Sequence, residues 1–480
     1  STTAPETFPQ TRPRVDSAPM LCWAASATVR CAHSFSYPPF QRRAGNGRKR
    51  EKLCVSAGMS GAADVQSRQA ASLPLETLVQ LEDAPLVDAP PCEGIYCSAE
   101  PGSAIRDLIA ECPALSERAN WYRAPWWMAN GHILTVWAAL RRDAPQVVYS
   151  RRCLITPDRG TLGLDFLQGV LLGGSSEAQA TPAPTSGPLV LLCPGLGGDS
   201  QDSYVRSMAA AVAEHGFRCA VLNMRGCGEL EVTSPQLFSA RRGSTDDLRH
   251  ALSFLSEELP QGTPIFAAGW SNGGSILLNA LREYEQKGEG GAPCPLSGAV
   301  AMAVPYDMRL PSQALETPLG KFIYDRNFLR SLLPKAESFL TRWSADLTHI
   351  DAQAVRESQS LKDMEIHLIS PMFGYQSVEE YYEDASTHDA VARISLPTLC
   401  ISALDDPIAL SDGIPLRAFS ASATVGLACS RHGGHIGWPD LLHGNRATWS
   451  EVAAMQFFSA ALRRLQRSDN EGTRTRIDMT

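Results

Sequence analysis

An α/β architecture with a mostly parallel central sheet and helices on both faces is predicted by three features of this sequence. Six short apolar runs, at 189–193, 219–222, 265–268, 299–304, 398–402 and 424–429, have the length and β-branched or small composition of strands buried on both faces. Helical spacing at 204–215, stopped by Gly216, and at 245–258, stopped ahead of Pro260, supplies the crossovers that parallel strands need. The third feature is Gly269-Trp270-Ser271-Asn272-Gly273, set between the strand at 265–268 and a helical run at 275–281. That order of strand, tight turn and helix belongs to a sheet whose strand ends carry chemistry.

Composition agrees with a folded core. Hydrophobic residues make up 44% and charged residues 20% of 480, enough apolar side chain for one large domain. A net charge of -8 argues against a nucleic-acid partner, since phosphate binding needs a basic field. The 13 cysteines are odd in number and include no CxxC pair, so they read as buried apolar residues in a reducing compartment. No metal site and no cofactor is expected. No apolar stretch approaches the length of a membrane span, while peripheral contact with lipid stays compatible with the composition.

The N-terminal 1–116 read as an arm and linker. From 17 to 63 the only acid is Glu51, among hydroxyl residues and Arg30, Arg42, Arg43, Arg48, Lys49, Arg50 and Lys52. This resembles an organellar transit peptide, which would place the protein in a plastid or other organelle; a disordered basic tail on a cytoplasmic protein is the alternative. Met20 is one candidate start. Residues 64–116, rich in Ala, Pro and acid, are expected to form a linker with one short helix at most. The folded domain is expected over 117–466, with 467–480 a disordered tail. The Gly/Ser/Ala/Pro-rich stretch 173–188 reads as a surface insertion. Between about 306 and 390 helical stretches interrupt the alternation, and a cap over the carboxyl ends of the strands is expected there, where open α/β sheets bind ligands.

Ser271 is the candidate nucleophile. Glycines on both sides of it suit a strand that turns so sharply into a helix that a β-carbon would clash, and the following helix presents its positive end to developing negative charge. In such folds an acid and then a histidine follow at the ends of later strands. After the strand at 398–402 comes Leu404-Asp405-Asp406-Pro407-Ile408. Either aspartate could serve; Asp406 is preferred because it directly precedes the proline turn. After 424–429 comes Arg431-His432-Gly433-Gly434-His435-Ile436-Gly437, where His432 and His435 compete. His435 is preferred because two glycines let its loop swing toward Ser271. His132, His215, His250, His349, His367, His388 and His443 read as surface or structural.

An oxyanion formed on a carbonyl attacked by Ser271 needs free backbone N–H groups. The residue after the nucleophile, Asn272, supplies one, and Pro194-Gly195-Leu196-Gly197-Gly198 after an early strand supplies the other, at Leu196. The same glycine-rich turn could suggest a dinucleotide, but G-x-G-x-x-G is not met.

Further matches run in order along the chain: Asn130-Gly131-His132-Ile133-Leu134-Thr135, Tyr149-Ser150-Arg151-Arg152, Leu164-Asp165-Phe166, Asn223-Met224-Arg225-Gly226-Cys227-Gly228, Glu380-Tyr381-Tyr382 and Gly433-Gly434-His435-Ile436-Gly437. With the Ser271 segment they make residues 122–458 resemble the YheT/EMB8-like α/β hydrolases, which include the ABHD1 and ABHD3 type lipases. The resemblance implies the α/β-hydrolase fold, Ser271, Asp406 and His435 as triad, and carboxylester hydrolysis. It also implies a small acyl ester or phospholipid substrate, with transfer of medium-chain acyl groups to alcohols in some relatives. The chain departs from it in Pro194-Gly195 where many relatives carry His-Gly, in Trp270 and Asn272, and in Lys362-Asp363-Met364-Glu365. Three functions follow as expectations: an esterase or lipase, an alcohol O-acyltransferase, or a hydrolase-fold binding protein without turnover.

Overall fold

The computed structural model describes residues 91–140, 144–171, 180–286, 292–440 and 447–478, with side chains to 468. All belong to the second of two units of the chain, Leu73–Thr480. The basic arm, with the targeting expectation attached to it, lies outside the described residues.

Strand β1 (Gly94–Tyr96) and helices α1 (Ala104–Ala110) and α2 (Pro113–Ser116) come first, then α3 (Gly131–Leu140) and a long hairpin of β2 (Gln146–Ile155) and β3 (Thr161–Leu171). A short β4 (Ala180–Pro182) precedes β5 (Leu189–Cys193), α4 (Ser203–Glu214), β6 (Arg218–Asn223), α5 (Ser244–Glu258), β7 (Ile265–Trp270), α6 (Asn272–Gln286) and β8 (Leu296–Met302). The cap follows, with α7 (Arg309–Glu316), α8 (Arg326–Trp343) and α9 (Val378–Ala385) as its main helices. The chain then returns through β9 (Thr398–Ala403), β10 (Val425–Ser430) and the final α10 (Trp449–Asp478).

One ten-stranded sheet results, in the order β1-β10-β9-β8-β7-β5-β6-β3-β2, with β4 on β3. Pairs from β10 through β6 are parallel, and antiparallel strands close both ends. The chain leaves β5 toward β6, then crosses back to place β7 on the other side of β5. Loops after β5 and β7 therefore diverge and leave a crevice at this reversal, the place where open α/β sheets bind ligands. Register puts the strand ends level: Cys193 lies beside Gly269, Trp270 beside Met302, and Ala403 beside Ser430.

Alternation along each strand splits the core. Val190, Leu192, Phe266 and Ala268 pack on one face with Phe457 and Phe458 of α10, and Leu189, Leu191 and Ala267 on the other with Leu248 and Leu252 of α5. A third cluster joins Leu332, Phe339, Leu368 and Tyr381 within the cap. Among the described residues no helix is long and apolar enough to cross a membrane.

Two expectations need correction. Residues 91–116 are not linker: β1 pairs with β10, and Ile105, Leu108 and Cys112 are buried in the main core. Their elements are short and lack a long apolar period, so only the partner surface shows their burial. The stretch 173–188 lies in part outside the described residues; its remainder carries the exposed β4, paired to β3. Finally, α10 runs through Asp478, so helical backbone continues well past 466.

Several ordered matches from the sequence prove to be polar pins. Asp165 on β3 accepts from Arg151 Nε at 2.6 Å and Nη2 at 2.7 Å, from Ser200 Oγ at 2.6 Å and from Asn223 Nδ2 at 2.8 Å. Arg225 is held by Asp247 at 2.6 and 2.7 Å, with both side chains nearly buried. A buried carboxylate is tolerated only where its oxygens are this fully bonded. Asp165→Ala strands the donors of three side chains at once and should cost about 3 kcal/mol or more of unfolding free energy in urea titration. A loss below about 1 kcal/mol would show that the network contributes little.

Candidate active site

Ser271 lies between β7 and α6 with φ of +51°, a conformation that non-glycine residues rarely adopt. Its N–H donates to Met302 O at 2.9 Å, which anchors the turn to the neighbouring strand. Helix α6 starts so close to the end of β5 that a β-carbon on Gly273 would lie 2.2 Å from the carbonyl oxygens of Cys193 and Pro194. Only glycine fits there. The turn thus lifts the Ser271 side chain above the strand ends, at the N-terminus of a helix.

His435 Nε2 is 3.0 Å from Ser271 Oγ, and His435 Nδ1 is 2.9 Å from Asp406 Oδ2 and 3.2 Å from Oδ1. His435 and Asp406 are 7% and 3% exposed, so water competes little for these bonds. Asp406 Oδ1 also accepts from the N–H groups of Ile408 at 2.8 Å and Ala409 at 2.9 Å, which fixes the carboxylate in the turn. With Nδ1–H donating to Asp406, Nε2 is left to accept the serine proton. The structure therefore brings Ser271, His435 and Asp406 together. The other two candidates pair with each other: His432 Nδ1 is 2.9 Å from Asp405 Oδ2, and Asp405 Oδ1 accepts from Gly434 N–H at 2.9 Å. Asp405 shapes the histidine loop and does not face His435.

Thr135 is a positioning residue that sequence reasoning passed over. Its Oγ1 accepts from His435 N–H at 2.8 Å and donates to Gly131 O at 2.7 Å, tying the histidine loop to the start of α3. Gly131 itself has no room for a side chain, because a β-carbon there would fall 1.6 Å from Asp405 O. The available signal was Asn130, a helix N-cap whose Oδ1 accepts from His132 and Ile133 N–H, which opens a helix with Thr135 on its first turns.

The loop after β5 reaches the same place: a β-carbon on Gly195 would lie 3.6 Å from Ser271 Cβ. Neither Leu196 N–H nor Asn272 N–H is taken by a protein acceptor. Both residues line, with Ser271, a cavity of about 360 Å³ that runs under the cap. Its walls include Met308, Leu315, Phe328, Leu361, Tyr382 and Ile408. Among the described residues no group of three side chains could hold a metal ion.

One wall is acidic. Glu365, 9% exposed, accepts from Tyr382 OH at 2.5 Å, and burial pushes its carboxyl up to about 7 against the opposing effect of that bond. The neighbouring Asp325 charge pushes in the same direction as burial.

Fold and site together define a class, an α/β hydrolase with a serine, histidine and aspartate at its strand ends. A family described as the alpha/beta hydrolase fold matches residues 188–436. The chain is 32% identical to the embryogenesis-associated protein EMB8 of Picea glauca, over 73% of this chain and 74% of that one. It is 29% identical to phospholipase ABHD3 of Mus musculus over 74% of this chain and 81% of that one, and 25% identical to a monoacylglycerol lipase of Saccharomyces cerevisiae over 65% and 74%. The chain belongs to the α/β-hydrolase fold family, in its EMB8/ABHD3-like branch.

The Glu365 proton gives a stability test. A carboxyl raised on folding binds its proton more tightly in the folded state, so that contribution is present in acid and lost as pH rises through about 7. Glu365→Gln should therefore gain on wild type above neutral pH, by up to about 3 kcal/mol, and hold no such advantage in acid. Urea midpoints measured at an acidic and an alkaline pH check this. A constant difference between the two would show that Glu365 titrates normally.

Proposed function

We propose that the protein is a carboxylic ester hydrolase that works through an acyl-enzyme on Ser271, with lipid-type acyl esters as substrates. The observation that carries the proposal is the unbroken row from Ser271 Oγ through the His435 ring to the buried Asp406 carboxylate. His435 Nε2 takes the hydroxyl proton as Oγ forms a bond to the carbonyl carbon, and the carbonyl electron pair moves onto oxygen. The N–H groups of Leu196 and Asn272 receive that oxyanion. His435 then returns the proton to the departing alcohol as the ester bond breaks. Water, deprotonated by the same ring, releases the acid and restores Ser271.

Lipid esters are supported by two observations. The cavity beside Ser271 is largely apolar and of a size that holds a drug-sized ligand. Relatives of the chain bear the names phospholipase and monoacylglycerol lipase. An alcohol that outcompetes water for the acyl-enzyme would give transesterification, and product analysis with added alcohol measures that ratio.

Turnover of p-nitrophenyl esters of increasing chain length tests the proposal. Ser271→Ala should lower kcat by about a thousandfold or more with the fold retained. Undiminished turnover in that variant would remove Ser271 from the chemistry. Thr135→Val should lower kcat by roughly tenfold to a hundredfold through a misplaced imidazole, with KM little changed and Thr135→Ser restoring activity. If Thr135→Val keeps full kcat, the anchor on the histidine loop is dispensable.

A further inference from the structure

Burying apolar surface is the usual fate of tryptophan, yet Trp126 is 89% and Trp127 58% exposed. They stand in the turn immediately ahead of α3, and Ile133 on the first turn of that helix is also exposed. The start of α3 is clamped to the cap, because His132 Nδ1 lies 2.8 Å from Tyr324 OH and the two rings stack 5.9 Å apart. On the cap side of this clamp, Leu319 is exposed between Glu316 and Lys321, both of which line the cavity that holds Ser271. Exposed Ile366 follows Glu365, another cavity residue. Large apolar side chains thus flank cavity residues along the cap segment and stand on the turn before the helix that is clamped to it.

Charge identifies what this rim fits. The chain is acidic overall, at -8, but residues 121–140 include Arg123 and no acid. On the cap segment Lys321, Arg326 and Arg330 are exposed; Lys321 faces the Asp325 carboxylate, while Arg123, Arg326 and Arg330 form no ion pair. Of the acids in the cavity wall, Glu316 pairs with Lys362 at 2.8 Å, Asp325 is buried with Oδ1 accepting from Leu361 N–H, Glu365 accepts from Tyr382 OH, and Asp363 accepts from Gln359 N–H. Tryptophan and aliphatic side chains fringed by exposed Arg are the composition that settles at the headgroup level of an anionic bilayer.

We propose that Trp126, Trp127, Ile133 and Leu319, flanked by Arg123, Lys321, Arg326 and Arg330, dock the protein on an anionic lipid surface, with the cavity mouth facing the lipid. The docking rests on the esterase reading only for its purpose, which is to let an acyl ester pass from the bilayer to Ser271 without crossing water.

Co-sedimentation of the full chain, carrying Ser271→Ala so that no lipid is consumed, tests the docking separately from the chemistry. Phosphatidylcholine vesicles containing phosphatidylserine should bind the protein, and pure phosphatidylcholine vesicles should bind it more weakly. The double substitution Trp126→Ser with Trp127→Ser should lower partitioning by roughly tenfold or more. Arg326→Gln with Arg330→Gln should abolish the preference for phosphatidylserine. With Ser271 restored, the tryptophan variant should hydrolyse a soluble short-chain p-nitrophenyl ester as wild type does, which reports its fold, and lose turnover on esters presented in vesicles. Equal vesicle binding by parent and tryptophan variant overturns the proposal, as does no binding by the parent. It is also overturned if the tryptophans govern dimer formation in sedimentation velocity and not vesicle binding. Sedimentation that behaves as described while Ser271→Ala retains turnover would overturn the esterase reading and leave the docking standing.

Discussion

Ser271 is held in a left-handed backbone conformation at φ of +51°, and most of the architecture around it makes that conformation tenable. Strand β7 must stop, reverse and become α6 within one residue, which requires the helix to begin against the β5 carbonyls, where only Gly273 fits. The reversal of strand order at β5 opens the crevice beneath the turn, and the level ends of β5, β7, β9 and β10 bring three more loops to the same height. Local strain is thus supported by long-range pairing. The site would not survive loss of that register.

Polar pins extend this support outward. Asp165 joins β2, β3 and β6 to Ser200, which lies just beyond the loop carrying Leu196, so a network in the sheet also steadies the proposed oxyanion loop. Thr135 does the same for the histidine loop. Each pin is a buried polar group with its hydrogen bonds satisfied, and the loops it holds carry no regular ladder of their own. The cap then closes a mainly apolar cavity above Ser271 but leaves Glu365 and Asp325 in its wall.

What could be read in the sequence was what local chemistry determines. All six expected strands exist within a few residues of their expected bounds, because continuous β-branched and small runs have few other uses in a folded protein. The glycine-flanked Ser271 announced its turn in the same way. The edge strands were harder. Strand β2 is largely exposed and pairs only with β3, so it lacks the buried run that marked the others. Residues 91–116 looked like linker since their burial comes from α10 and β10, more than 300 residues away. Asp405 and Asp406 are chemically identical neighbours, and only the geometry of the turn sends one to His432 and the other to His435. The role of Thr135 is not legible in its own segment, since its partner lies 300 residues downstream.

The central claim is that the Ser271 hydroxyl becomes covalently acylated with His435 as its base. Rapid quenching during turnover of an acyl ester, followed by peptide mass spectrometry, tests this most directly. The account predicts an acyl adduct confined to the peptide bearing Ser271, and its absence from His435→Ala. An adduct on another residue, or turnover that proceeds with Ser271 never modified, would contradict it.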